Sequence, residues 1–131
     1  MPATYLDSSA IVKLVIAEAE SAALRRHLRR RGPLVSSALA RTEVLRALLD
    51  EGDEGLARGH AVLATLDLIR ISDRVLDDAA QLLPSDVRSL DAIHLATAQQ
   101  LSSELGQIVS YDDRMLRAAD RLGMRTARPI A

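Results

Sequence analysis

Four carboxylates, Asp7, Glu43, Asp91 and Asp112, are far apart in the chain yet stand at similar local boundaries. Asp7 directly follows the short apolar run Ala3-Thr4-Tyr5-Leu6, and Asp112 follows Gln107-Ile108-Val109-Ser110 after one tyrosine. Asp91 opens the helical stretch Asp91-Ala92-Ile93-His94-Leu95-Ala96, and Glu43 falls in the first turns of the helix after Leu34-Val35-Ser36. Strand ends and helix starts gather on one edge of a parallel α/β sheet, where open sheets bind ligands. Acids that converge there repel one another unless a cation lies between them. The four therefore form a candidate divalent-metal site.

Taken singly, each acid also has a purely architectural explanation. An Asp at a helix start accepts hydrogen bonds from free backbone amides and complements the positive end of the helix dipole. Glu43 is a good helix former. The neighbours favour chemistry. Ser8 and Ser9 put two hydroxyls behind Asp7, where they cap a helix or hold a metal-bound water. Asp91 shares a helix face with Leu95 and Ala98, and a carboxylate beside apolar surface is costly unless paired or metal-bound.

The elements that position these residues alternate along the chain. Strand-like runs fall near 3–6, 33–36, 67–72, 107–110 and 124–127, with helical patterns near 9–16, 18–31, 38–51, 54–66, 73–83, 91–104 and 113–122. Gly52, Gly55, Gly106 and Gly123 sit where helices stop, and Pro33 and Pro84 mark further breaks. Repeated strand–helix–strand units predict an α/β fold, a mostly parallel sheet with helices on both faces. The alternating run 67–72 reads as an edge strand, and the helices at 38–51 and 54–66 as a hairpin over one side of the sheet.

Composition narrows the function classes. At 131 residues the chain is expected to form one domain, 1–131, with a core of its own. With 0 Cys, disulfides and thiolate metal sites are excluded. The start of the chain lacks a signal-peptide pattern and no apolar run approaches the ~20 residues of a membrane span, so no membrane partner and a cytoplasmic location are expected. A net charge of −1 argues against coating nucleic acid by bulk charge, while leaving a local basic groove open. Aromatics are 2%, so stacking platforms for bases are nearly absent, and any grip on RNA or DNA has to use the backbone.

The blocks Leu6-Asp7-Ser8-Ser9-Ala10-Ile11-Val12-Lys13-Leu14, Thr42-Glu43-Val44-Leu45-Arg46-Ala47-Leu48, Leu90-Asp91-Ala92-Ile93-His94-Leu95-Ala96-Thr97-Ala98 and Val109-Ser110-Tyr111-Asp112 stand in a familiar order. The chain resembles the PIN-domain ribonucleases of the VapC toxin type almost end to end. That resemblance implies a three-layer α/β/α sandwich and Mg²⁺- or Mn²⁺-dependent endoribonuclease activity. It also implies RNA products with 5′-phosphate and 3′-hydroxyl ends, a homodimer, and neutralisation by a small VapB-type antitoxin. Carried over by position, Asp7, Glu43, Asp91 and Asp112 are the catalytic and metal-binding acids, with Ser8, Arg88 and Ser110 as candidate substrate contacts. Position 110 is Ser where the family often has Thr, which keeps the hydroxyl. Asp113 follows Asp112, and either can reach a metal, although Asp112 fits the spacing from Ser110. Mg²⁺ takes hard oxygen ligands, and one or two such ions activate water for in-line attack on phosphorus.

Other residues are less telling. His94 suits packing or polar satisfaction better than hard-metal ligation. The run Arg25-Arg26-His27-Leu28-Arg29-Arg30-Arg31 reads as a solvated helix end or a phosphate or partner contact. Arg88, just before Asp91, is placed for substrate phosphate or for the acids themselves. Leu39, Leu45, Leu48, Leu49, Leu56, Val62, Leu63 and Leu66 give the helices near 38–66 broad apolar faces, the expected dimer interface. A Mg²⁺-binding phosphoreceiver or phosphatase is the rival enzyme class, but it wants a second acid beside Asp7 and a late lysine, whereas position 9 is Ser and Lys13 is the one lysine. A non-catalytic PIN-fold binding module is the non-enzymatic rival, and the presence of all four acids speaks against it.

Overall fold

Strand β1 (Ala3–Leu6) is buried along its whole length and lies at the centre of the sheet. The computed structural model describes residues 1–130. The other strands are β2 (Leu34–Ser37), β3 (Asp67–Ile69), β4 (Leu105–Val109) and β5 (Thr126–Ala127), all parallel to their neighbours in the order β3-β2-β1-β4-β5. Tyr5 is in register with Val35 on one side and Ile108 on the other. The alternating run from 67 is an edge strand, shorter than its pattern suggests.

Seven α-helices among the described residues cover both faces. Side chains alternate across each strand, so Leu6 and Val109 point to one layer while Tyr5 and Ile108 point to the other. The first layer holds α1 (Ser8–Val15), α2 (Ser21–Leu28), α3 (Leu39–Ala47) and α4 (Gly52–Leu63), packed through Ile11, Val15, Leu24, Val44, Leu48 and Leu63. The second holds α6 (Ser89–Gln100) and α7 (Asp113–Arg121), packed through Leu95, Ala98, Met115 and Ala119, with α5 (Asp73–Ala80) against α6. This is the three-layer α/β/α sandwich expected.

The α3–α4 hairpin uses in its own packing much of the apolar surface expected at a dimer face. Gly59 lets the two helices approach closely, since a Cβ there would fall 2.4 Å from Leu48 Cδ1. Leu48, Leu63 and Leu66 are consequently buried in the chain's own core, with Leu45, Leu56 and Val62 packed against it, and Leu49 alone of the large side chains in that set is strongly exposed. The leucines looked surplus only because α3 and α4 each bury against two neighbours.

Because the strands are parallel, the ends of β1, β2 and β4 share one edge. Helix α6 runs back toward the start of β4, so its first turn also lies at that edge. The arginine run lies at the other one. It ends α2 and leads into the start of β2, where Arg31 lines a hollow with Met1, Pro2 and Arg125.

Candidate metal centre

Asp7 ends β1 and caps α1. Its Oδ1 accepts from Ala10 N–H at 3.0 Å and Ser9 Oγ at 2.6 Å, and its Oδ2 from Ser110 Oγ at 2.5 Å. The residue is 4% exposed. Burial pushes its carboxyl above the usual carboxylate range, and the hydrogen bonds from Ser110, Ser9 and Ala10 only partly oppose this. A buried carboxylate held this way gains from a cation beside it. Capping and chemistry are thus two uses of one side chain.

Glu43 is held by a chain of side chains that reaches into the sheet. His94 Nε2 lies 2.6 Å from Glu43 Oε1, Ser8 Oγ donates to the same oxygen at 2.7 Å, and His94 Nδ1 lies 2.7 Å from Tyr5 Oη. An ionised carboxylate only accepts, so Nε2 carries the proton and, in the neutral ring, Nδ1 accepts from the Tyr5 hydroxyl. Burial of Glu43 raises its carboxyl, but the bonds from His94 and Ser8 outweigh that and hold it below the usual range. Oε1 is engaged twice and Oε2 has no protein partner among the described residues. His94 is therefore a satisfied buried histidine, as expected, but the partner satisfying it is one of the four acids.

Asp91 and Asp112 face each other across Arg88. The guanidinium Nε lies 3.4 Å from Asp91 Oδ2, and Nη2 lies 3.3 Å from Asp112 Oδ2. Asp112 caps α7 through Arg114 and Met115 N–H, while Ser110 Oγ accepts from Asp112 N–H. Burial, then repulsion from Asp112, raises the Asp91 carboxyl despite Arg88. Asp113 turns elsewhere: it is largely exposed and pairs with Arg128 at 3.7 Å.

One hollow of about 500 Å³ is lined by all four acids together with Ser8, Arg88 and His94. Ser110 lies behind it, buried, on Asp7. Among the described residues no three acidic or histidine side chains stand close enough to hold one ion by themselves. The donor set nevertheless fits a hard cation. It is all carboxylate oxygen, two of its acids are raised by burial, and Mg²⁺ usually takes one or two carboxylates and keeps waters or phosphates for the rest. Sequence reasoning placed the acids but missed the Tyr5–His94–Glu43 chain. The one available signal was that Asp91 and His94 share a helix turn.

An open parallel sheet with acids converging beyond its carboxyl ends defines a class of α/β protein with an acidic site at the sheet edge, and comparison identifies which. The PIN domain family model matches residues 4–121, so the chain belongs to the PIN-domain family. It is 60% identical over 129 residues to ribonuclease VapC46 of Mycobacterium tuberculosis, covering 98% of this chain and 99% of that one. It is 43% identical over 130 residues to ribonuclease VapC35 of the same species, covering 95% and 96%. Among solved structures, M. tuberculosis VapC20, described as a sarcin-ricin loop cleaving toxin, superposes with a TM-score of 0.74 at 16% identity, covering 96% of this chain and 99% of that one. A toxin–antitoxin complex from Klebsiella pneumoniae gives 0.70 at 20% identity, covering 86% and 89%. Within the family the chain is a ribonuclease of the VapC type. Among the described residues no helix is long and apolar enough to cross a membrane.

Proposed function

We propose that this protein is the endoribonuclease toxin of a VapBC-type pair, and that Asp7, Glu43, Asp91 and Asp112 hold Mg²⁺ or Mn²⁺ for RNA phosphodiester hydrolysis. The observation that carries the assignment of the site is the single hollow lined by all four acids, one of them buried. A divalent cation bound there supplies an activated water and offsets charge at phosphorus. The chain's own groups do the rest. Ser9 and Ser110 keep Asp7 oriented, His94 and Ser8 fix Glu43 with Oε2 available, and the exposed head of Arg88 can turn from the acids to a substrate phosphate. Ser8 lines the same hollow, where it also offers a hydroxyl to a bound strand.

The test is cleavage of RNA by purified protein in Mn²⁺, followed by sequencing of 5′ ends. EDTA is expected to abolish cleavage and added Mn²⁺ to restore it, with 5′-phosphate and 3′-hydroxyl ends. Full activity in EDTA would sink the metal assignment.

A VapB-type antitoxin is proposed to inhibit at the same edge by presenting an Arg or Lys to the acids. Arg88 is a precedent, since a guanidinium already bridges Asp91 and Asp112. A homodimer is proposed as well, through the α5–α6 face rather than α3–α4. Leu76 and Leu83 are exposed there and line a groove with Ile93. Light scattering at micromolar concentration is expected to give twice the chain mass, falling toward one chain on Leu76→Lys. A wild-type monomer would refute it.

A further inference from the structure

Helix α7 places Arg114, Arg117 and Arg121 at i, i+3 and i+7, on one face. They line a cleft of about 380 Å³ together with Pro84, Asp86 and Arg88. All three are exposed, and none is in an ion pair among the described residues. Met115 and Ala118 alternate with them and are buried, so the core fixes which way the arginine face looks. Four guanidinium groups against the two carboxylates of Asp86 and Asp91 leave the cleft locally basic in a chain whose net charge is −1. Arg88, Asp91 and Met115 line both this cleft and the acid hollow, so the two are contiguous.

We propose that the α7 cleft is a phosphate track that holds the RNA strand beside the nucleotide being cut, with Arg88 at the junction. The proposal rests on the ribonuclease reading for what occupies the acid hollow. From Arg114 to Arg121 is about 10 Å along the helix axis, at 1.5 Å per residue. That would be about three steps at the ~3.4 Å axial rise of a duplex strand, and fewer along an extended single strand, whose phosphates stand farther apart. The cleft has no aromatic side chain, and its apolar lining is confined to Pro84, Val87, Met115 and Ala118, so it lacks the aromatic anchors common at protein interfaces. Guanidinium groups without stacking surfaces grip phosphates and set register, without reading bases. The track therefore contributes affinity and alignment, and leaves sequence choice to the acid hollow.

The experiment measures anisotropy of a 5′-labelled 12-nucleotide oligouridylate in EDTA, where nothing is cut, across a salt series. Arg117→Gln/Arg121→Gln is expected to weaken binding by about tenfold and to flatten the plot of log K against log salt by about 1.4, about 0.7 for each lost single-strand contact. Arg29→Gln/Arg30→Gln makes the same charge change at the opposite edge and is expected to leave both quantities alone. Arg117→Lys/Arg121→Lys keeps the charges and is expected to keep the slope. Melting temperature and its rise with Mn²⁺ serve as folding and site controls, and Arg121→Gln alone replaces the double variant if that one misfolds. Equal losses in the two Gln pairs, or none at α7, would overturn the track. So would α7 variants that bind RNA normally but escape a VapB-type antitoxin, since the cleft would then be a protein-docking surface. Wild type that binds the oligonucleotide but never cleaves RNA in Mn²⁺ would instead count against the ribonuclease reading.

Discussion

Replacing Asp7 by Asn is expected to lower RNA cleavage by at least about a hundredfold while the protein stays folded. The amide keeps an oxygen for Ser9 and the Ala10 amide, so the cap on α1 survives. What goes is the charge. The metal-free protein should also show how that charge is carried. The folded Asp7 carboxyl is raised by burial, so its favourable contribution to stability is present below the ordinary carboxylate pKa and is lost as pH rises through the folded value. In EDTA near neutral pH, Asp7→Asn should therefore melt at or above wild type, and below about pH 4 the gap should close. Mn²⁺ should raise the melting temperature of wild type and of Asp113→Asn, whose carboxylate faces Arg128, and do so much less for Asp7→Asn. A variant that unfolds while its folded fraction remains fully active would make Asp7 a helix cap and nothing more.

The second large effect is expected at Asp91. Its carboxyl is raised first by burial and then by Asp112, a repulsion that a divalent cation relieves more fully than Arg88 does. Asp91→Asn should reduce cleavage by about a hundredfold or more and weaken Mn²⁺ binding, measured by electron paramagnetic resonance of the free ion. The sign of the stability change obeys the same rule as for Asp7: a raised carboxyl costs stability once ionised, so metal-free Asp91→Asn should gain on wild type above the ordinary carboxylate range. Undiminished Mn²⁺ affinity in this variant would remove Asp91 from the proposed metal set. Glu43→Gln should be milder, because His94 and Ser8 hydrogen-bond one oxygen that a glutamine also has.

Much of this was legible in the chain because the fold is built from short local signals. The strand-like runs read near 3–6 and 107–110 are too short for helices, and each leads into an acid placed to cap the next helix. That logic puts Asp7 and Asp112 on one edge without any distance. It could not supply pairings across the fold. His94 meets Tyr5 over 89 residues of sequence and Glu43 over 51, and Arg88 joins Asp112 over 24. No periodicity encodes those contacts. The burial of the α3 and α4 leucines was hidden for a related reason: a helix pattern counts apolar positions but not how many neighbours will cover them. The arginine run from 25 to 31 is prominent as text and lies at the far edge, whereas the three arginines of α7 are diluted by the core residues between them.

The division of labour within the Asp7 side chain has a genetic consequence. One oxygen serves the helix and the other accepts from Ser110, so asparagine is expected to keep the cap, with the Ser110 hydroxyl turned to accept from the new amide, while losing the charge. Asp and Asn codons differ by one G-to-A transition. On the proposed role of Asp7, a single base change would disarm the protein and leave a folded product behind. Selection for loss of toxicity would reach that allele without the aggregation or proteolysis that accompanies most inactivating lesions, and the disarmed copy would persist as a folded decoy for whatever binds the active one.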